Sequence, residues 1–485
     1  MKCYPKFKSI LGILLRMTKK LLVLFFLAFG LVQLSGCSSS SITSGFQSAF
    51  TRTTPADVRA VSIADNSDLW RGDTGTIWYK VQHTSLPKLQ IALAQSKDAT
   101  AAGWLKLAII SKQYGTNKSD LIPQLIAWRG ANPSHPANSL FPDNTTLTTL
   151  LNTPLPKHIA LLLPLTGSFA TQGQAIRDGF LSAYYESLAK QNTSQTISFL
   201  DTNKNPNISA LYDEALAKGA DIVIGPLLKN NVQALSQRGQ FPVPTIELNY
   251  TDAWGALSTN LYQFGLSPQD EAEQAAEKAS QEGLRHAIVI APQDEWGQRV
   301  SKTLISRWQS LGGSVTDTLY YSPSADLSQD IPRLLHINPK EDHAKNRENN
   351  NKKQLEQQRR QDFDVIFLLA PPETARQIVP LLKYYYVTKI PIYSTSVIYS
   401  GSPSPQKDID LNGVFFCDIP WLLSRHSGNR LYAVGRDSYV LTRELPVLMA
   451  MPNFPIYAAT GALTLTSKHQ IYRRLPWAQI YEGHP

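Results

Sequence analysis

From His158 onward, short apolar runs alternate with amphipathic stretches, and this alternation constrains the fold more than any other feature of the chain. "HIALLLPL", "TISFLD", "ADIVIGP" and "VPTIELN" are apolar or β-branched and read as strands. Between them lie "TQGQAIRDGFLSAYYESL", "NISALYDEALAKG" and "LLKNNVQALSQRG", which read as helices. Strands buried on both faces and separated by helices predict a parallel sheet covered on both sides. Ala175, Gly179 and Ala183 lie along one face of the first helix and predict close packing on that sheet. The rhythm then repeats. "SPQDEAEQAAEKASQEG" has an acidic first turn, as the helix dipole favours. "HAIVIAP", the Gly-terminated "EWGQRVSKTLISRWQSLGG" and "SVTDTLYY" follow, then "DVIFLLA", "PPETARQIVPLLKYYY" and "KIPIYST". Two α/β units of similar size predict a two-lobed clamshell over residues 157–483. A charged, nearly apolar-free stretch at 339–362 interrupts the second unit. It reads as a solvated insertion, with a partner-binding arm as the other reading.

Residues 56–153 have a different period. Trp104, Leu107, Ala108 and Ser111 recur at helical spacing, as do Leu121, Leu125 and Trp128, and "NPSHPA" then breaks the second helix. One and a half helix-turn-helix pairs are visible, which predicts a small tetratricopeptide-like all-α region. Its tryptophans are expected in the core. The Pro-, Asn- and Thr-rich run at 138–157 reads as a linker.

The first 36 residues carry a separate message. The apolar run at 21–32 is shorter than the ~20 residues of a membrane-spanning helix. Lys19 and Lys20 precede it, and Leu34-Ser35-Gly36-Cys37 follows. This is the pattern of a bacterial lipoprotein signal, with cleavage before Cys37 and acylation of its thiol and amine. An uncleaved signal anchor is the alternative. Met17-Thr18-Lys19-Lys20 reads as the start of an ordinary signal of this kind, so Met17 is the expected initiator. Cleavage would remove six Lys and Arg residues and no acid, taking the net charge from +9 to +3 and with it the main support for nucleic-acid binding. Cys417 would be the one thiol left without a lipid, which excludes an internal disulfide. Its setting in "GVFFCDIP" reads as a buried strand. Residues 37–55, rich in Ser and Thr, read as a flexible tether. Ser rather than Asp at position 38 favours outer-membrane sorting, by resemblance to enteric lipoproteins.

No catalytic constellation is present. The chain has no G-x-S-x-G, H-E-x-x-H, phosphate-binding loop or C-x-x-C, and its histidines are scattered. No metal site or cofactor is expected, and Asp294-Glu295 reads as a helix cap. Two loops look like binding architecture: "LPLTGSFATQGQ" after the first strand and "IGPLLKNN" after the third. Ligands of open α/β sheets sit beyond the carboxyl ends of strands, at helix N-termini. Thr166, Gly167 and Ser168 are therefore candidate cleft residues, with Gly225, Pro226 and Asn249 from the loops beside them. Plain turn and capping chemistry is the competing reading.

Leu162-Leu163-Pro164-Leu165-Thr166-Gly167 and Ile176-Arg177-Asp178-Gly179-Phe180 resemble the opening of type 1 periplasmic solute-binding proteins. Other motifs narrow the resemblance: Gly225-Pro226-Leu227-Leu228-Lys229, Leu266-Ser267-Pro268 with Asp270-Glu271-Ala272, and Asp410-Leu411-Asn412-Gly413 with Ile419-Pro420. Thr460-Gly461-Ala462-Leu463-Thr464 and Arg473-Arg474-Leu475-Pro476-Trp477-Ala478 complete it. Together they are similar to the LppC/LpoA family of penicillin-binding protein activators. The resemblance implies an outer-membrane lipoprotein with a helical repeat region and a periplasmic-binding-protein-like domain. It further implies no enzymatic activity and a class A penicillin-binding protein as partner, whose peptidoglycan transpeptidation it stimulates. The helical region here is short beside the family's longer repeat array, which puts reach across the periplasm in question. A lipid-anchored receptor for an amino acid or amide shares the fold and is the alternative.

Overall fold

The computed structural model describes residues 69–191, 194–251, 258–322, 324, 326–337, 359–424 and 429–485. Cys37, the signal, the tether and most of the charged insertion lie outside them. The described chain begins with five helices: α1 (Thr74–Gln82), α2 (Leu86–Gln95), α3 (Ala99–Tyr114), α4 (Lys118–Ala131) and α5 (Asn144–Leu151). Asp73, Asp98, Asn117 and Asp143 each accept a backbone N–H three residues on, which caps α1, α3, α4 and α5. Trp104, Leu107, Ala108, Leu121, Leu125 and Trp128 are all buried. The break after α4 has a packing role: His135 wedges edge-on between the rings of Trp104 and Trp128, 5.1 Å from each.

Two sheets follow. The first lobe carries β1 (His158–Leu163), α6 (Ala170–Gln191), β2 (Thr196–Asp201), α7 (Ile208–Ala217), β3 (Ile222–Ile224), α8 (Lys229–Ser236), β4 (Thr245–Glu247) and β5 (Leu261–Phe264). The second carries α9 (Pro268–Gln281), β6 (His286–Pro292), α10 (Glu295–Ser310), β7 (Ser314–Tyr321), α11 (Leu327–Leu334), β8 (Val365–Leu368), α12 (Pro372–Tyr384), β9 (Ile392–Ser394) and β10 (Phe415–Cys417). The chain then returns to the first lobe as α13 (Arg430–Ala450), β11 (Ile456–Ala458), β12 (Gly461–Leu465) and β13 (Gln470–Arg474). It ends in the second lobe with β14 (Trp477–Gln479). Strand order is β11-β12-β13-β5-β4-β3-β1-β2 in one sheet and β14-β10-β9-β8-β6-β7 in the other.

The pleat explains why β1 reads as continuously apolar. Ile159, Leu161 and Leu163 join one core, while Ala160 and Leu162 join the core on the opposite face. The expectation of parallel sheets holds for β1–β10 and needs correction at the end: β11, β12 and β13 pair antiparallel, and β14 is antiparallel to β10. The four residues between β12 and β13 form a tight hairpin loop, which forces that direction.

The small-residue face of the first long helix also departs from expectation. It meets another helix rather than the sheet. A Cβ on Gly179 would lie 1.9 Å from the Tyr432 carbonyl oxygen, and a Cβ on Gly435 would lie 2.0 Å from that of Ile176. The backbones of α6 and α13 touch at two reciprocal glycines, and Arg436 seals the contact with an ion pair to Glu186 at 2.7 Å. Arg359–Asp362, taken from sequence as the end of the solvated insertion, are packed. Arg359 is buried, its guanidinium 5.4 Å from the Phe363 ring centre, and Arg360 pairs with Asp317 and Asp362 at 2.7 Å each.

The helical region and the first lobe share one core. Trp78, Trp104 and Leu125 belong to the same buried cluster as Ile159, Phe264, Phe454 and Leu463. Trp78 stacks 4.7 Å from Phe454 and donates its indole N–H to the Asn453 carbonyl. At the seam, Glu444 of α13 is buried and accepts the backbone N–H of Lys118 at 2.9 Å. Burial pushes its carboxyl up to about 7, against the opposing pull of Arg443 and Lys118.

Two outcomes are expected. Gly435→Ala should cost about 1–3 kcal/mol in urea unfolding, because the new methyl meets main chain that cannot step aside; an unchanged midpoint would contradict the contact. Glu444 binds its proton more tightly folded than unfolded, so its contribution to stability falls as pH rises from about 4.5 through 7 and then levels. Glu444→Gln should remove a decline of up to about 3 kcal/mol between pH 4 and 8. Parallel stability–pH curves for the two proteins would contradict this.

Candidate functional site

The strands β1, β3 and β4 are parallel neighbours, so their carboxyl-end loops share one edge of the first lobe. The candidate residues lie there. Thr166, Gly167 and Ser168 are exposed in the loop after β1. The Thr166 hydroxyl donates to Asp201 at 2.7 Å, and the same carboxylate accepts the N–H groups of Leu165 and Asn203. Burial works against charge on Asp201, but these donors outweigh it and hold the carboxyl below its ordinary value. Gly167 has φ +76°, and a Cβ there would strike the Asn203 side chain. Gly225 and Pro226 are buried after β3, joined by a cis peptide, and bond the strand beyond: the Gly225 N–H donates to Ile246 O and Pro226 O accepts from Leu248. Asn249 donates to Leu227 O at 3.2 Å and accepts from the Tyr250 N–H. The structure therefore brings the six residues to one edge, with the Thr166 hydroxyl engaged by Asp201 at the end of β2 and the Asn249 amide by Leu227 O in the loop after β3.

A denser constellation lies where the chain passes between lobes, and the sequence pattern did not single it out. The chain crosses three times: between β5 and α9, between β10 and α13, and between β13 and β14. Arg473, at the end of β13, is 1% exposed. Its guanidinium donates to Gly265 O at 2.9 Å and Thr460 O at 3.3 Å, and lies 3.8 Å from Glu271 of α9. Glu271 also accepts the Ser396 N–H, reaching into the second lobe. Gln274, one turn on, clamps the third crossing: its amide donates to Arg473 O and its carbonyl oxygen accepts from Leu475 N–H. At the second crossing the buried Asp418 pairs with Arg430, which also donates to Ser396 O and Tyr399 O. Asp437 accepts the N–H groups of Ala459 and Thr460 and the Thr460 hydroxyl, while burial pushes its carboxyl up to about 6. Three of the motifs that carried the family resemblance fall on these crossings: Leu266-Ser267-Pro268 with Asp270-Glu271-Ala272, Ile419-Pro420, and Arg473-Arg474-Leu475-Pro476-Trp477-Ala478. The one available signal was charge inside otherwise buried motifs, as at Glu271 and Arg473. Cys417, beside Asp418, is fully buried and its thiol is pushed well up by burial, so it is not poised for chemistry.

Beside the third crossing is a cavity of about 560 Å³, a size suited to a small molecule. Tyr79 and Lys112 of the helical region, Glu277 of α9, and Tyr457, Tyr472 and Arg474 of the C-terminal strands line it. Arg474 lies over the rings of Tyr79 and Tyr472, 5.6 and 5.9 Å from their centres, and reaches Glu277 at 3.3 Å. None of the sequence-predicted cleft residues lines this cavity. Among the described residues no group of three or more His, Cys, Asp or Glu side chains is placed to hold a metal ion, and no helix is long and apolar enough to cross a membrane.

The profile of the LppC putative lipoprotein family matches residues 60–483. The chain is 30% identical over 428 residues to the penicillin-binding protein activator LpoA of Vibrio cholerae, covering 83% of this chain and 70% of that one. It is similar to full-length LpoA of Haemophilus influenzae, with 27% identity and a TM-score of 0.56 over 85% of this chain and 73% of that one. The C-domain of that protein, described as a regulator of PBP1A, matches at 27% identity and a TM-score of 0.53 over 67% of this chain and 98% of the domain. A Chromobacterium violaceum structure named for branched-chain amino acid ABC transport has a TM-score of 0.51 at 23% identity over 66% of this chain and 99% of that one, a likeness of fold alone. The match across most of its length shows that the chain belongs to the LppC putative lipoprotein family.

Proposed function

We propose that this chain is an outer-membrane lipoprotein, anchored through Cys37, that binds a class A penicillin-binding protein and stimulates peptidoglycan transpeptidation. The observation that carries the reading is the likeness to Haemophilus influenzae LpoA over both the helical region and the two lobes, together with the description of that protein's C-domain as a regulator of PBP1A. Relatives of this chain are named as activators of a penicillin-binding protein, not as enzymes. The activator works by preferring the synthase's active conformation, because equal affinity for both states would shift nothing. Thr166, Gly167, Ser168, Gly225, Pro226 and Asn249 frame the cleft as a structural rim. A solute receptor needs polar groups free to turn toward a ligand, and the side chains of Thr166 and Asn249 are engaged by neighbouring segments of the same lobe.

The test is a reconstitution with the class A synthase of the same organism, following peptide cross-linking of lipid II. The lipid-free chain from Ser38 should bind the synthase and raise cross-linking several-fold. In cells, Cys37→Ser should leave the protein unacylated and free of the membrane fraction. Absence of both binding and stimulation would overturn the activator reading, and membrane retention of the Cys37→Ser protein would overturn the anchor.

A further inference from the structure

The junction cavity is lined by two buried polar atoms without a hydrogen-bond partner among the described residues and by one buried ammonium, which lies 5.7 Å from the Tyr457 ring centre. Lys112 is buried, and its ammonium donates to Gln82 O at 2.9 Å. Among the described residues it has no carboxylate partner within ion-pair distance, and Arg474 faces the same space with like charge. Burial, reinforced by Arg474, pushes the Lys112 ammonium down to about 8. An ammonium taken from water and left without a counter-charge is costly, and an anion beside it would relieve that cost.

The second group is His83. Burial, reinforced by Arg474 and Lys112, pushes its imidazole down to about 3, so the ring is neutral. Nδ1 lies against the Tyr79 carbonyl oxygen, which only accepts, so the proton is assigned to Nδ1 and Nε2 is left as an acceptor. Nε2 is buried and has no hydrogen-bond partner among the described residues. Ser85 is the third group. It occupies the N-cap position of α2, yet its hydroxyl makes no capping bond and is likewise buried without a partner among the described residues. Buried polar groups are nearly always satisfied, and two unpartnered side chains beside an ammonium without a counter-charge, all lining one cavity, mark it as built for something else.

The chemistry required is specific. Lys112 calls for an anionic acceptor, His83 for a donor, and the Ser85 hydroxyl serves either. Aromatic rings of Trp78, Tyr457 and Tyr472 wall the space and suit an apolar side chain. Glu277 also lines the space and is already paired with Arg307 and Arg474, so among the described lining residues Lys112 alone carries a cationic group without a carboxylate partner. We infer that the cavity between the helical region, the first lobe and α9 binds the carboxyl end of an N-acylated amino acid or peptide, a carboxylate with an N–H one carbon away and a side chain beside it. The occupant would touch the helical region, the end of the first sheet and the second lobe's α9 at once. Its binding would therefore be felt at the third crossing, whose Leu475 and Trp477 line the same space. This inference stands apart from the activator reading and does not need it.

The probe is N-acetyl-L-phenylalanine, titrated calorimetrically into the whole protein at pH 7. N-acetyl-L-phenylalaninamide lacks the carboxylate, and 3-phenylpropionate lacks the N–H. For a ligand of this size a dissociation constant of about 1 mM or tighter is expected. Both analogues should bind at least about tenfold more weakly. Lys112→Met keeps the aliphatic stem and should weaken binding about tenfold or more. Ser85→Ala removes a hydroxyl that has no hydrogen-bond partner among the described residues. It should leave the melting temperature unchanged and weaken binding about threefold, so it decides the matter if Lys112→Met does not fold. No saturable binding up to about 10 mM, equal binding of the amide, or unchanged affinity in Ser85→Ala would overturn the assignment.

Discussion

One buried guanidinium organises the junction on which the rest of the structure depends. Arg473 cannot be solvated where it sits, so each of its donors must find an acceptor in the protein. It finds them at Gly265, where the chain first leaves the first lobe, at Thr460, in the returning segment, and near Glu271, which begins the second lobe. Removing one member would leave the others buried and unpaired, and breaking such a pair costs about 3–5 kcal/mol. The crossings are therefore held as a unit, and the lobes they join inherit a defined relation to one another. The helical region is tied in by apolar packing of Trp78 on Phe454 and by the Lys118 N–H to Glu444.

This arrangement fits a protein that acts by presenting a surface. The buried carboxylates of Glu271, Asp418, Asp437 and Glu444 lie at crossings and seams, where they bond main chain, and the thiol of Cys417 is sealed in a strand. An activator transmits binding energy to its partner most fully when little is lost in ordering its own parts. A chain whose helical region and first lobe share one core meets that condition. A ligand in the junction cavity would add to the same effect, because it would bridge parts already joined by the Tyr457 N–H to Gly115 O bond at 2.7 Å.

Much of the fold was legible in sequence, for reasons visible in particular elements. β1, β2, β6 and β7 stand out as apolar or β-branched runs bounded by turn residues, and α10 carries its own cap in Asp294 and its stop in Gly312. α13 escaped because it is buried around most of its circumference, with Arg436, Asp437, Ser438 and Glu444 inside and Pro446 near its end, so it shows no amphipathic period. β5 is four residues long, and the hairpin of β12 and β13 lacks the regular alternation with helices. The cleft loops were placed on the correct edge of the sheet because strand polarity determines it. The crossing network was not legible: Glu271 and Arg473 are some two hundred positions apart in the chain, and only the fold makes them neighbours. The orphaned groups of the cavity were equally hidden, since an unpaired His83 or Ser85 looks like any other polar residue until its surroundings are known.

The helical region and both lobes form one cooperative body joined through the Arg473 network and the shared core. Differential scanning calorimetry of the chain from Ser38 tests this most directly. A single transition is expected, with calorimetric and van't Hoff enthalpies that agree. Two or more resolved transitions, with the helical region or one lobe melting on its own, would contradict it.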